Sequence, residues 1–322
     1  MRARSVGLDA GTVTRALNSD RSIVRTWLMR GTLHVVAAED VRWLLHLLGP
    51  VFARAGSTRH AQLGLDESLK SRGVAAIRMI LNDAGPLTRY ELVDRLRKRD
   101  IKLDPKTQAP IHLIQLAALQ GILCLGPDRG DGESTYVLLD DWVRPAPALP
   151  RDRTLAELAR RYFAAYGPAT VEDLAAWSGI SMGEARAAVT GAIASLTEVT
   201  IQARPGFIRR DRRNRGTMPA PRQVRLLPAF DTYLLGYRRR DLAVPIPLQR
   251  RLQRGGGWLH PAVVVNGRAV AAWSLRKSGG RSAQVTVEPF GPISRALGAG
   301  IQAEVADIGR FLNLRLAVKI AP

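Results

Sequence analysis

Apolar residues recur at helical spacing through the first two thirds of the chain and at strand spacing in the last third, so a mixed α+β protein is expected. Within the helical part, Gly85-Pro86-Leu87-Thr88-Arg89-Tyr90-Glu91-Leu92 recurs as Gly167-Pro168-Ala169-Thr170-Val171-Glu172-Asp173-Leu174. In both copies Gly-Pro ends one helix, and Thr88 or Thr170 is placed to cap the free amides of the next. Thr88 and Glu91 stand at capping-box spacing, and Asp173 is the shorter variant opposite Thr170.

The segments C-terminal to the two copies are also alike. After the first, Pro110 opens a helix with Ile111, Ile114 and Ala118 on one face, and Gly121 is placed to end it. Strands are expected at 122–125 and 135–139. After the second, Ser181 and Glu184 form another capping box, the helix runs to about Ser195, and Val199, Ile201 and Ala203 alternate as in a strand. Three helices and a two-stranded wing are the winged-helix order, which predicts such units at 72–150 and 151–218; an all-helical scaffold is the competing reading. From Val224 the period becomes two. Segments 261–265 and 268–275 flank Asn266-Gly267, a strong hairpin signal, 284–288 adds a strand, and Ile301, Val305, Ile308 and Leu312 share one helix face. Residues 219–322 therefore read as a small β domain closed by a helix.

Composition adds a partner. Lys and Arg number 48 against 28 Asp and Glu in 322 residues, a formal charge of +20 that calls for a polyanion, with solubility as the alternative use. The N-terminus lacks the apolar core of a signal peptide, and no window approaches about 18 apolar residues, so a cytoplasmic protein without membrane contact is expected. Cys124, the single cysteine, lies in an apolar run that reads as a buried strand and fits a reducing compartment. The five histidines, at 34, 46, 60, 112 and 260, never take HExxH spacing, and no phosphate-binding or dinucleotide loop is found, so neither a metal nor a small-molecule cofactor is expected. Gly255-Gly256-Gly257 before Trp258 reads as a tight turn. No dedicated dimerisation helix is evident, so a monomer is expected.

The densest charge is Arg209, Arg210, Arg212, Arg213 and Arg215, five arginines in seven residues after the second wing. Guanidinium forks suit phosphate oxygens, although a solvated linker has the same composition. The third helices carry few side chains for base edges: His112, Gln115 and Gln120 in one, Glu184, Arg186 and Thr190 in the other. Recognition of DNA by shape, damage or backbone is expected over a tightly specified operator.

The stretch Val24-Arg25-Thr26-Trp27-Leu28-Met29-Arg30-Gly31-Thr32-Leu33-His34-Val35-Val36 resembles a signature of the AlkZ-like DNA glycosylase family. Leu226-Leu227-Pro228-Ala229-Phe230-Asp231 with Gly236-Tyr237-Arg238, and Gly256-Gly257-Trp258 before the 263–273 hairpin, agree with it in the same order. The resemblance implies three tandem winged-helix units, the first within 1–71 and N-terminally incomplete, in a C-shaped arrangement with the β domain and DNA on the concave face. It also implies excision of alkylated bases in characterised members, and it places Arg25, Arg30 and His34 near the DNA-facing side of the first unit; Arg238, in the shared Gly236-Tyr237-Arg238 stretch, is a further candidate DNA contact. Read as residues alone, RTWLMRGTLHVV is equally a structural hairpin with Trp27, Leu33 and Val35 in the core. The family's Gln-x-Gln or Gln-x-Asp motif, which orients water upstream of the signature, has no match in residues 1–24. Either the coding sequence begins before Met1 or the protein binds DNA without excising bases. DNA binding with no identified catalytic residue is the expectation, and an active glycosylase for alkylated purines or a winged-helix transcriptional regulator are the alternatives.

Overall fold

The structure, a computed structural model, describes all residues except 131, 202, 213–222, 254, 256 and 322, and Arg212 in its backbone alone. It divides into two compact units. One comprises residues 14–165 and 178–196, and the other residues 1–13, 166–177 and 197–322.

The first unit is built on a five-stranded sheet of order β2-β1-β4-β5-β3. Its strands are β1 (Ile23–Trp27), β2 (Leu33–Ala37), β3 (Leu87–Thr88), β4 (Leu123–Arg129) and β5 (Glu133–Leu138). The signature stretch is an antiparallel hairpin with Trp27 opposite Leu33, and its β1 pairs with β4 where Arg25 faces Leu125. One sheet thus joins the hairpins expected in segments 1–71 and 72–150. Helices Glu67–Ala84 and Ala109–Leu119 bury Ile77, Leu113 and Ile114 completely, together with Leu92 and Leu123. Trp27 belongs to this core and stacks near Tyr136 at 6.4 Å. Leu33 and Val35 do not: they are 53% and 44% exposed, because β2 is the sheet's edge and has a neighbouring strand on one side only. Cys124 is fully buried in β4, where loss of hydration pushes its thiol up to about 12.

Both copies of the repeat adopt the caps their sequence specifies. The Thr88 hydroxyl accepts from the Glu91 amide at 3.3 Å while the Glu91 carboxylate accepts from the Thr88 amide at 2.7 Å. In the second unit Asp173 and Thr170 exchange the equivalent bonds at 3.2 and 2.9 Å. The recurrence extends to pairing. Leu87 and Thr88 meet Tyr136 and Thr135 of β5, and Ala169 meets Phe207 of β7 (Arg204–Arg209), the return strand of the hairpin begun by β6 (Leu196–Ile201).

The second unit also holds a five-stranded sheet, β12-β11-β10-β9-β8, made of β8 (Val224–Leu227), β9 (Ala262–Val265), β10 (Arg268–Gly279), β11 (Ser282–Pro289) and β12 (Arg315–Ile320). Asn266 and Gly267 turn between β9 and β10 with φ of 48° and 84°, as a type I′ hairpin requires. Helix Arg295–Leu312 packs Ile301, Val305 and Ile308 onto Val224, Leu226, Val285 and Val287. It is a crossover as well as a lid, since β12 returns parallel to β11. The short exposed strand RLAVKI carried no signal of that parallel pairing. Among the described residues no helix is long and apolar enough to cross a membrane, and no group of His, Cys, Asp and Glu is disposed to hold a metal.

Two histidines of the first unit predict a pH response. The rings of His60 and His112 meet edge to face at 5.6 Å, and the Nδ1 atoms of both are buried without a hydrogen-bond partner. Burial holds both below the ordinary value of 6.5, helped at His60 by Lys70 and His112 and opposed by Glu67, and helped at His112 by Arg59. The unfolded chain therefore binds protons first, so stability is full above pH 6.5 and is lost as pH falls through the depressed folded values. His112→Leu is expected to flatten the fall of Tm below pH 6.5 in thermal melts; a slope equal to the wild type's would exclude His112 as a contributor.

Candidate nucleic-acid interface

In the first unit the hairpin turn brings Arg30, His34 and Gln115 together. Arg30 and Gly31 both have positive φ, 58° and 67°, and the turn is closed by the Leu28 amide on the Thr32 carbonyl at 3.0 Å. Helix Ala109–Leu119 reaches it through Gln115, whose Nε2 donates to the Gly31 carbonyl at 2.7 Å. Gln115 thereby fixes the turn, using an amide hydrogen that base reading would otherwise take. His34 Nε2 lies 3.2 Å from the Met29 carbonyl and 3.0 Å from the Thr32 hydroxyl. Burial lowers its pKa, the bond to Met29 opposes this, and the Arg30 charge adds to the lowering, so His34 is neutral at pH 7. To bond the Met29 carbonyl its Nε2 must carry the ring proton.

Arg25 stands apart from that group. Its guanidinium grips both carboxylate oxygens of Asp128, at 2.6 and 3.3 Å, and the Gly126 carbonyl at 3.1 Å. Asp128 is held below the usual carboxylate range chiefly by this bond. The charge of Arg25 is compensated within the sheet, and the residue acts as a staple between β1 and β4.

The second unit gathers the larger cationic set. The motif shared by residues 226–238 proves to be a scaffold. Asp231 caps the following turn through the Tyr233 amide at 2.8 Å and takes both arms of Arg4, at 2.5 and 2.9 Å. The Tyr233 hydroxyl donates to the Gly267 carbonyl at 2.7 Å, and that of Tyr237 to the Tyr166 carbonyl at 2.8 Å. Burial, with smaller contributions from Tyr233, Asp173 and Tyr166, pushes the Tyr237 phenol up to about 12, so it remains a neutral pin. The Arg238 amide donates to Asp173 Oδ1 at 2.9 Å, and the same aspartate caps its own helix through Oδ2.

These pins hold Arg238, Arg239 and Arg240 along a cavity of about 820 Å³ that is also lined by Arg204, Glu172 and Asp241. Two of its arginines are answered by carboxylates: Arg204 by Glu172 at 3.5 Å and Arg239 by Asp241 at 3.3 Å. Arg240 bonds only the neutral Gln253 Oε1, at 3.0 Å, among the described residues, and loss of hydration lowers its pKa. Arg238 is exposed, and its guanidinium makes no hydrogen bond or ion pair among the described residues, reaching Glu172 through its field alone. With no acidic partner among the described residues, the half-buried Arg240 guanidinium is an arrangement that an anion can complete.

Arg209 ends β7 and pairs with Asp211 at 2.5 Å, Arg210 is exposed, and the side chain of Arg212 and residues Arg213 and Arg215 lie outside the described residues. Sequence reasoning singled out Arg238 and passed over Arg239 and Arg240, although the run Tyr237-Arg238-Arg239-Arg240 was there to be read. Arg204 had no local signal, because only strand pairing in β7 brings it to the cavity.

Comparison with known proteins bears on this arrangement. A family model described as DNA glycosylase AlkZ-like matches residues 1–311. The interstrand DNA cross-link repair glycosylase of Streptomyces sahachiroi is 31% identical over 339 aligned residues, which cover 98% of this chain and 86% of that protein. The solved structure of Streptomyces sahachiroi DNA glycosylase AlkZ superposes with a TM-score of 0.79 at 27% identity, covering 99% of this chain and 86% of that one. A chain matched along almost its whole length in both sequence and fold belongs to the AlkZ-like DNA glycosylase family.

Proposed function

We propose that this protein binds DNA in the repair of alkylated or cross-linked bases, and that its grip is on the phosphate backbone through Arg238 and Arg240. The observation that carries this is that Arg238 and Arg240, two guanidinium groups lining one cavity, form no ion pair with a carboxylate among the described residues, in a chain of charge +20. Arg209 and Arg210, at the end of the wing, are further candidate backbone contacts. Arg30, beside the neutral His34, supplies a further cation on the first unit. Arg25 is assigned to the sheet and not to DNA. In this reading residues 1–71, 72–150 and 151–218 are winged-helix units and 219–322 the β domain, supported by the repeated cap, strand and hairpin at Thr88 and Thr170. The residues named here account for binding, and no excision chemistry is assigned to them.

Fluorescence anisotropy with labelled duplex DNA across a range of salt tests the grip. Each phosphate contact releases condensed counterions, so log K is expected to fall by roughly 0.9 per contact per decade of salt. Affinity that does not change with salt would remove backbone contact as the basis of binding.

A further inference from the structure

We infer that Phe230 and Trp258 form a stacking site for an unpaired nucleobase. This rests on the DNA-binding reading and adds what that reading lacks, a place for a base as distinct from a phosphate.

Phe230 and Trp258 are 42% and 54% exposed, and their rings meet edge to face at 4.9 Å between centroids. Water covers much of two aromatic side chains that a folding core would otherwise have taken. Phe230 also sits at φ 54°, in the left-handed region that bulky residues avoid. The local chain gives it no alternative direction. Its amide donates to the Leu259 carbonyl at 3.3 Å, and the next residue, Asp231, is buried and locked by Arg4 and the Tyr233 amide. Strain retained at an exposed aromatic residue marks a position kept for contact with a ligand more than for packing.

The surroundings select the ligand. Trp258 is flanked by Gly257 at φ 75° and closed back onto the Gly255 carbonyl at 3.0 Å. Leu259, the next residue, bridges to Gln253, the same Gln253 whose side chain holds Arg240. Gln253 also lines a shallow depression with Arg250. The aromatic pair is therefore tied, through Gln253, to the arginine that has no carboxylate partner among the described residues. An exposed pair of rings, joined through Gln253 to the segment that holds Arg240, offers what single-stranded nucleic acid needs: a ring for the base and a cation for its phosphate. Two rings are too little apolar surface for a stable protein interface, which buries about 800 Å² on each partner.

The experiment compares a fully paired duplex with the same duplex carrying a single-stranded gap, by anisotropy, for the wild type, Trp258→Ala, Trp258→Phe and Phe230→Gly. Wild type is expected to prefer the gapped DNA. Trp258→Ala and Phe230→Gly are expected to weaken gapped DNA by roughly tenfold while leaving paired DNA and the salt slope unchanged. Trp258→Phe keeps a ring and should retain most of the preference. Phe230→Gly suits its positive φ, so its Tm should equal or exceed that of the wild type, which separates lost stacking from lost folding. Wild-type DNA binding with no discrimination lost in either variant would overturn the inference and leave the DNA-binding reading standing. Failure of the wild type to bind either DNA would overturn both.

Discussion

Gly49→Ala is expected to destabilise the protein by about 2–3 kcal/mol, lowering Tm by about 5–10 °C. Gly49 lies in helix Ala38–Ala55 where it crosses helix Ala109–Leu119, and a Cβ built on it would stand 2.0 Å from the Leu119 carbonyl oxygen. The obstacle is backbone, so no rotamer change relieves it and one helix must move. Alanine's better helix propensity, about 0.5–1 kcal/mol, offsets only part of this. The movement reaches the candidate site, because helix Ala109–Leu119 also carries Gln115, whose amide holds the Gly31 turn. Gly183→Ala is the contrasting control. It lies in helix Met182–Ala192, its nearest obstacle is the Ser181 hydroxyl oxygen at 3.9 Å, and a gain of about 0.4–1 kcal/mol is expected. Thermal melts followed by circular dichroism read both changes. A Gly49→Ala melt matching the wild type would show that the helices do not approach this closely.

Local chemistry was legible in the sequence wherever a side chain speaks to its own backbone. The caps at Thr88, Thr170 and Ser181 form as their spacing dictates, and Asn266-Gly267 turns as expected. The helix ending at Gly121 and the hairpins after it and after Ser195 arise from punctuation residues in the same way. What depended on distant partners was not legible. β1 gives no sign that it will meet β4 about a hundred residues later, and so Arg25 looked like a free cation when it is the bidentate partner of Asp128. Alternation placed Leu33 and Val35 in a core because it cannot tell an edge strand from a central one. Charge counting pointed to the partner class and to the run beginning at Arg209, and could not single out Arg240, which distinguishes itself by lacking a carboxylate among the described residues, a property that exists in three dimensions alone.

That difference between a paired and an unpaired arginine sets the most informative measurement on function. Replacing Arg238 and Arg240 together by glutamine is expected to weaken duplex DNA binding roughly a hundredfold at physiological salt, taking about 1.5 kcal/mol for each charge-assisted contact. The slope of log K against log salt should become shallower by about 1.8, two contacts at about 0.9 each. Stability should not fall with affinity. Arg240 is held in a site that disfavours its charged form, and a neutral amide there can still bond Gln253, so Tm is expected to be unchanged or higher. Arg25→Gln should behave in the opposite way. It strips Asp128 of its partner across the sheet and lowers Tm, while the salt slope stays at the wild-type value because that guanidinium was already satisfied. If instead Arg25→Gln flattened the slope and the double variant left it intact, the phosphate contacts would belong to the hairpin unit, and the cavity of the second unit would lose its assignment.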